Sequence, residues 1–555
     1  MDYKINHITY QYAANLPEAL KDVTFTIPKG KVTAIVGPSG CGKTTLVEIF
    51  SGIIPKLITG GTLSGEMLGA EDAFVSVVSQ NPENQLFGYS VEDAIVFGLE
   101  NLGLPSDEIS ERLEFVLDLL NLQYLRKRSV AKLSGGQRQS VCIASVLAMR
   151  PDILILDEPV SSLDPNGKTM VRDVLKQLVA DRNTVVLADN NLVWSADIVD
   201  HVIGLYNGEI IFDGSRDAFF ADYAMQEKLG VIIPQEVEIC RALSKEIPGL
   251  LPFFTLDGAR QELGKWLPSP KEFSVPVPTG EAASSVITTH ALSKTFQDGF
   301  KALIAIDTEI PEGKVVAILG QNGSGKTTFV KHLNGLFRPD SGEVCYRGQS
   351  TANKTVAAIS KDIILVFQHP EHMLFEETVA NEITFCARKQ GTSYTEEDVA
   401  AILKEYGMEA DRDVFPLNLP MGKKHMLTIM SVLLSHADVV ILDEPTLGMD
   451  AFLIGELENL IASLKASGKT VVMISHEIPL VFRTAEAAVI LGHGKKLAEG
   501  SMEEIARNRQ LFDQIGIHLP PVVLLSMELG LDKVCFRVAD FVQEFVKATG
   551  RGKKS

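Results

Sequence analysis

Lys43 and Lys326 each close a short pattern in which glycines crowd a lysine and a hydroxyl. Gly37-Pro38-Ser39-Gly40-Cys41-Gly42-Lys43-Thr44 and Gly320-Gln321-Asn322-Gly323-Ser324-Gly325-Lys326-Thr327 both fit GxxxxGK[ST]. The chemistry this pattern suits is phosphate binding. Gly37, Gly40 and Gly42, like Gly320, Gly323 and Gly325, let backbone N–H groups converge on an anion where a helix begins. Lys43 and Lys326 can reach β- and γ-phosphates, and Thr44 and Thr327 can bind Mg²⁺. Thr45 and Thr328, next along, belong to the same ATP-binding set.

Two pairs of acids extend the chemistry from binding to hydrolysis. Ile153-Leu154-Ile155-Leu156-Asp157-Glu158 and Val439-Val440-Ile441-Leu442-Asp443-Glu444 are apolar runs ending in two carboxylates. A strand of this kind carries its acids to the C-terminal edge of a sheet, where ligands bind in open α/β folds. Asp157 and Asp443 suit the Mg²⁺ shell. Glu158 and Glu444 suit the orientation or deprotonation of water for in-line attack. The reaction implied is hydrolysis of a nucleoside triphosphate assisted by Mg²⁺.

The elements that must position these residues occur twice. Lys326 minus Lys43 is 283, while Asp443 minus Asp157 and His476 minus Asn190 are each 286. So small a drift over a whole domain marks a tandem repeat. Alternating segments such as Val23-Thr24-Phe25-Thr26-Ile27 read as half-buried strands. Val32 to Val36 and Val315 to Leu319 read as buried strands that feed the phosphate loops, and Thr44-Thr45-Leu46-Val47 and Thr327-Thr328-Phe329-Val330 read as helix starts. Pro268, Pro270, Pro276 and Pro278, then Gly280-Glu281-Ala282-Ala283-Ser284-Ser285, read as an extended linker. The expected layout is a first nucleotide-binding domain over 1–220, an extension and linker over 221–285, a second domain over 286–505 and a C-terminal extension over 506–555. Arg551 to Ser555 read as a solvated end.

Bulk properties narrow the classes. Hydrophobic residues make up 45% and charged residues 22%, as in ordinary globular proteins. No apolar run reaches the ~20 residues needed to span a bilayer, and Met1-Asp2-Tyr3-Lys4 lacks the features of a secretion signal. The net charge of −19 argues against a protein that lives on phosphate backbones. Cys41, Cys142, Cys240, Cys345, Cys386 and Cys535 form no C-x-x-C pair, which argues against zinc or iron–sulfur sites and fits free thiols.

Leu133-Ser134-Gly135-Gly136-Gln137 adds a more specific marker. With it, nearly the whole chain resembles a tandem ATP-binding protein of the ABC superfamily. The implied fold class is α/β: two tandem P-loop ABC nucleotide-binding domains, each a RecA-like core with an antiparallel β subdomain and a helical subdomain, plus C-terminal extensions. The resemblance implies that Ser134, Gly135, Gly136 and Gln137 contact ATP, that Tyr12 and Phe296 stack on adenine, and that Gln80 and Gln368 sense Mg²⁺. His476 matches the family's switch histidine, and Asn190 stands at its place in the first half.

The family's sites are composite, with the phosphate loop of one half facing the signature of the other. One site would then combine Lys326, Gln368, Glu444 and His476 with residues 133–137. The other would combine Lys43, Gln80, Glu158 and Asn190 with Leu419-Pro420-Met421-Gly422-Lys423. Both departures, Asn190 and the altered signature, fall in the second of these. Pro420 offers neither the hydroxyl nor the N–H of a serine, Met421 adds bulk, and Lys423 can restore positive charge. The expectation is one consensus site that hydrolyses ATP and one degenerate site that holds it.

Gln80-Asn81-Pro82-Glu83-Asn84-Gln85-Leu86-Phe87, Gln368-His369-Pro370-Glu371-His372-Met373-Leu374-Phe375 and the Leu-Pro tails resemble ATPases of energy-coupling factor (ECF) importers. That resemblance implies ATPase activity coupled to import of a vitamin, a vitamin precursor or a transition-metal ion. It also implies a peripheral place on the cytoplasmic side of the cell membrane. The partners it implies are a transmembrane T component and a substrate-binding S component, with no nucleic acid expected. The alternative is a soluble tandem ABC ATPase acting on ribosomes or nucleic acid.

Overall fold

The computed structural model describes residues 2–69, 73–79, 85–160, 163, 165–180, 182–267, 284–297 and 299–550. Gln80 to Asn84, the proline-rich stretch from Pro268 to Ala283, and Arg551 to Ser555 lie outside the described residues. The chain divides into two compact units, Met1–Val237 and Glu238–Ser555. The division falls inside helix Gln235–Glu246, within the 221–285 stretch read above as extension and linker.

The N-terminal unit is built on a six-stranded sheet. Its order is Val75–Val78, Ile153–Asp157, Thr184–Ala188, Val32–Val36, His201–Tyr206 and Glu209–Ser215, parallel except for the last strand. Every residue of Val32–Val36, Ile153–Asp157 and Thr184–Ala188 is buried, as expected of parallel strands covered on both faces. Each buried Val, Ile or Leu there contributes about 1.5–3 kcal/mol, so the rigid centre of the unit is the part that carries the site. Tyr3–Gln11, Leu20–Ile27 and Thr62–Leu68 form a separate antiparallel sheet. In Leu20–Ile27 the apolar residues Val23, Phe25 and Ile27 point inward and Asp22 and Thr24 outward, so this sheet joins the same core by one face. Helices Val91–Asn101, Ser106–Leu119 and Gly135–Ala148 supply the helical part.

The C-terminal unit repeats the plan. Its large sheet runs Ile363–Val366, Val439–Asp443, Thr470–Ile474, Val315–Leu319, Ala487–Gly492 and Lys495–Ser501. Its antiparallel sheet runs Lys301–Pro311, Ser285–Thr295, Ser341–Tyr346 and Gln349–Ser350. Val379–Gln390, Glu396–Glu405 and Met421–Met430 are the matching helices. Helix Leu256–Gly264 groups with this unit, and its Arg260 forms an ion pair with Glu528 of helix Pro521–Glu528 at 2.7 Å.

The strand orders explain the placement of the chemistry. In each unit the strand feeding the phosphate loop, the strand preceding the switch residue and the strand ending in the acids are consecutive neighbours. Their C-terminal ends therefore meet at one sheet edge. Among the described residues no helix is long and apolar enough to cross a membrane, and all six cysteines are free.

Candidate active site

Each phosphate loop leaves its strand through a glycine that no other residue can replace. A Cβ on Gly37 would come within 2.0 Å of the Leu205 carbonyl oxygen, and one on Gly320 within 2.2 Å of that of Leu491. The loops then wrap their own lysines. Lys43 Nζ donates to the carbonyls of Gly37 at 2.5 Å and Pro38 at 3.3 Å, and Lys326 Nζ to those of Gly320 at 2.7 Å and Gln321 at 3.0 Å. Helices Lys43–Phe50 and Lys326–Leu333 start at once, with Gly42 and Gly325 in left-handed geometry as their caps. These are helix N-termini with anion-binding amides and a buried ammonium at hand.

The candidate Mg²⁺ donors are already gathered. Thr44 Oγ1 donates to Asp157 Oδ2 at 3.0 Å, and Thr327 Oγ1 to Asp443 Oδ1 at 3.4 Å. A hydroxyl beside a carboxylate is the hard oxygen set that Mg²⁺ prefers, so the residues fit the metal. Burial, and then the charge of Glu158, push the Asp157 carboxyl up to about 6; burial raises that of Asp443 as well. A divalent cation supplies the opposite charge that holds such groups ionised.

Glu158 and Glu444 follow in the left-handed region, at φ 46° and 52°. That conformation is uncommon for a side chain larger than Asn. It is held because the Glu158 N–H donates to the Ala188 carbonyl, and the Glu444 N–H to that of Ile474, both at 2.9 Å. The turn lifts each glutamate off its strand at the sheet edge.

The two units part company at the switch residue. His476 donates its backbone N–H to Glu444 Oε2 at 3.0 Å, and its Nε2 lies 3.2 Å from Glu444 Oε1. Asn190 Oδ1 instead accepts the backbone N–H of Gly37 at 2.8 Å. One unit joins switch to glutamate, whereas the other joins switch to phosphate loop.

The signature segments differ in the same spirit. Ser134 caps helix Gly135–Ala148 in a reciprocal box: its Oγ accepts the Gln137 N–H at 3.3 Å, and Gln137 Oε1 accepts the Ser134 N–H at 3.1 Å. Helix Met421–Met430 begins after Pro420 with no side-chain cap. Lys423, read from sequence as restored positive charge, is paired with Asp411 at 2.6 Å, so that charge is largely neutralised.

The remaining predicted residues are placed unequally. Tyr12 is brought to the phosphate-loop helix, its hydroxyl 3.0 Å from Thr45 Oγ1 and 3.3 Å from Glu48. The Phe296 ring sits edge-on to Phe337, with centroids 6.0 Å apart. The Thr328 carbonyl accepts from the buried His332 ring at 2.7 Å. Gln368 is exposed, two residues beyond strand Ile363–Val366; Gln80 lies outside the described residues.

Sequence reasoning missed Asp189. Its carboxylate accepts the Asn191 N–H at 2.8 Å and the indole N–H of Trp194 at 2.9 Å. Burial, with Glu158 adding to it, pushes its carboxyl up to about 7. The available signal was an apolar strand, Thr184–Ala188, running into an acid just as Ile153–Asp157 does. Also missed were Gln139 and His425, which are 286 apart like the switch residues. Both are wholly buried within the signature helices, with no hydrogen-bond partner for their side-chain polar atoms among the described residues.

Comparison with known proteins agrees with this geometry. The ABC transporter family model matches residues 20–161 and 303–447. A Methanosarcina mazei protein named as an ABC transporter ATP-binding protein is 33% identical over 98% of this chain and 97% of its own length. YkoD of Bacillus subtilis, named as an HMP/thiamine import ATP-binding protein, is 30% identical over 90% of this chain and 92% of its own length. A crystal structure of the archaeal ribosome recycling factor aABCE1, in complex with the ribosomal stalk protein aP1, matches with TM-score 0.61 and 20% identity over 92% of each chain. At that identity the match shows the fold alone.

That structure nevertheless corrects the partner expectation. A protein with this tandem fold along its whole length is bound to a ribosomal protein, so the fold does not bring T and S components with it. The expectation of no nucleic acid falls with it, because net charge describes the whole surface and not the face that docks. With two family matches lying on two phosphate-loop cores, the chain belongs to the ABC transporter family of ATPases, whose domains bind ATP with Mg²⁺.

Proposed function

We propose that this chain is an ATP-driven motor whose two sites do different work: the C-terminal unit hydrolyses ATP and the N-terminal unit holds it. The observation that supports this most is the pairing of His476 with Glu444 against that of Asn190 with Gly37. Two contacts from one residue fix the Glu444 carboxylate, which can then orient a water and take its proton. Lys326 supplies positive charge to the transferring phosphoryl group, and Thr327 with Asp443 would hold Mg²⁺, which neutralises developing charge when bound. In the N-terminal unit Glu158 keeps its turn, but Asn190 has no ring nitrogen to present and its amide oxygen is occupied by the loop. Loss of a preorganised contact to the reacting phosphate costs ~10²–10³ in rate.

The test is a comparison of turnover in two variants of the full chain. Glu444→Gln should abolish steady-state hydrolysis, while Glu158→Gln should leave most of it. Equal loss in both would reject the division of labour.

Two readings of the work this cycle drives have specific support. The first is import of a vitamin, a precursor or a transition-metal ion, driven from the cytoplasmic face of the cell membrane; the 30% identical relative named for HMP/thiamine import supports its vitamin branch. Action on ribosomes or nucleic acid is supported by the whole-length fold match to a ribosome recycling factor. Affinity isolation of the tagged chain from its own cells, with and without detergent, separates them. Co-purifying multi-spanning proteins support import, whereas ribosomal particles recovered from the detergent-free lysate support the second reading.

A further inference from the structure

We infer that Val231–Ile233 is a strap that fixes Asn190 against the phosphate loop and so sets how long nucleotide stays in the N-terminal site. This rests on the retention reading above. Helix Tyr223–Leu229 ends at Gly230, which takes φ 61° and turns the chain back. The segment that follows runs beside the switch residues. Ile232 donates its N–H to the Asn190 carbonyl at 2.8 Å, and its own carbonyl accepts the Leu192 N–H at 2.9 Å. These two bonds make a parallel bridge between Asn191 and Ile232. Val231 and Ile233, on either side, are buried, so the strap is held down by apolar contacts at both ends.

Asn190 is thus tied twice. Its main chain is bonded to the strap, and its side chain to Gly37, the first residue of the phosphate loop. The residues after it are pinned from below: Asn191 N–H to Asp189, Val193 N–H to Asn191 Oδ1 at 3.0 Å, and the Trp194 indole to Asp189. A switch segment bonded in this way cannot swing without breaking several hydrogen bonds together, the Trp194–Asp189 bond among them buried. In the C-terminal unit the tail closes its helix in a similar way, Ile517 N–H to the Phe512 carbonyl at 3.1 Å, yet the His476 N–H is turned to Glu444. In the N-terminal unit the strap meets the switch residue itself, an asparagine. Helix Gln235–Glu246, which leaves this unit at Val237, begins only two residues beyond Ile233.

Ile232 is a positioning residue, and its removal should show in nucleotide release. The full chain is loaded with radiolabelled ATP and Mg²⁺, then chased with excess unlabelled ATP, and release is followed over time. The wild type should release part of its label in a slow phase. Ile232→Pro, which lacks the N–H given to Asn190, should speed that phase by about tenfold, the scale of one well-made hydrogen bond, with steady-state turnover kept within about twofold. Ile232→Val, which keeps the N–H, should release like the wild type. An Ile232→Pro chain that melts at the wild-type temperature yet keeps the wild-type slow phase overturns the strap. Should that variant fail to fold, Asn190→Ala reads the same quantity, and an unchanged slow phase there overturns it equally. A wild type with no slow phase at all overturns the retention reading itself.

Discussion

Glu158 and Glu444 sit on matching turns, six degrees apart in φ, at the ends of wholly buried strands. Around Glu444 the switch residue closes on the carboxylate; around Glu158 it closes on the phosphate loop. The glutamate alone therefore says little about whether a site turns over. What differs is a neighbour one strand away, and with it the group that is held in place: a carboxylate in one unit, a phosphate loop in the other. On the division of labour proposed above, a duplicated site loses its chemistry while keeping its cradle, because the cradle depends on glycines and a lysine that the switch residue does not supply.

The sharpest way to break that contrast is to delete the switch residue in each unit. His476→Ala removes the ring contact to Glu444 and should lower steady-state turnover by ~10²-fold or more, as loss of a positioned polar group does. Asn190→Ala should leave turnover within about twofold, because its effect falls on retention. Turnover measured in the two full-length variants under saturating ATP decides the matter. Comparable losses would mean that both sites hydrolyse.

The repeats, both phosphate loops, both acid pairs and the buried strands that carry them were legible in the sequence, because each is a local pattern with its own period or spacing. Long-range partners were not. Lys423 reads as free charge until Asp411, twelve residues earlier, is folded against it. Tyr12 reads as a base-stacking ring, and nothing in its neighbours along the chain tells that its hydroxyl meets Thr45 across 33 residues. The strap joins Ile232 to Asn190 by main-chain bonds that any residue except proline could make, so side-chain types carry no trace of it. Partners were the least legible, since docking depends on a surface that the nucleotide motifs leave unspecified.

Buried titratable groups sharpen the comparison by giving the two units opposite pH responses. Burial raises Asp189 from 3.8 to about 7. It stabilises the fold while protonated, fully so below the unfolded value, and that contribution is lost as pH rises through 7. Burial lowers His425 from 6.5 to about 4. It is folded neutral, so its contribution is present above 6.5 and lost as pH falls toward 4. Asp189→Ser, the residue the C-terminal unit has at that position, should flatten a decline in melting temperature between about pH 4 and 7. His425→Gln, the N-terminal unit's residue, should flatten a decline below pH 6.5. Difference melts of each variant against wild type check both slopes, and a slope of the wrong sign in either removes that group from the contrast.

The smallest effect concerns the signature helices. Pro420 has φ −55° and ψ 152°, close to the −69° and 163° of Ser134. A serine would therefore enter at position 420 with no change of backbone and could accept the Lys423 N–H as Ser134 accepts that of Gln137. Such a cap contributes about 0.5–2 kcal/mol, offset by about 0.4–1 kcal/mol from the chain freedom that proline had removed. Lys423 cannot return the bond that Gln137 gives to its cap, because a lysine has no acceptor, so half of the box stays unmade. Pro420→Ser should raise the melting temperature by about 2 °C and leave turnover within about twofold, since the switch residue of the N-terminal unit is still an asparagine tied to Gly37. A severalfold rise in turnover on that single exchange would move the cause of the asymmetry from Asn190 to the signature, because the serine would then have restored what the asparagine was held to have removed.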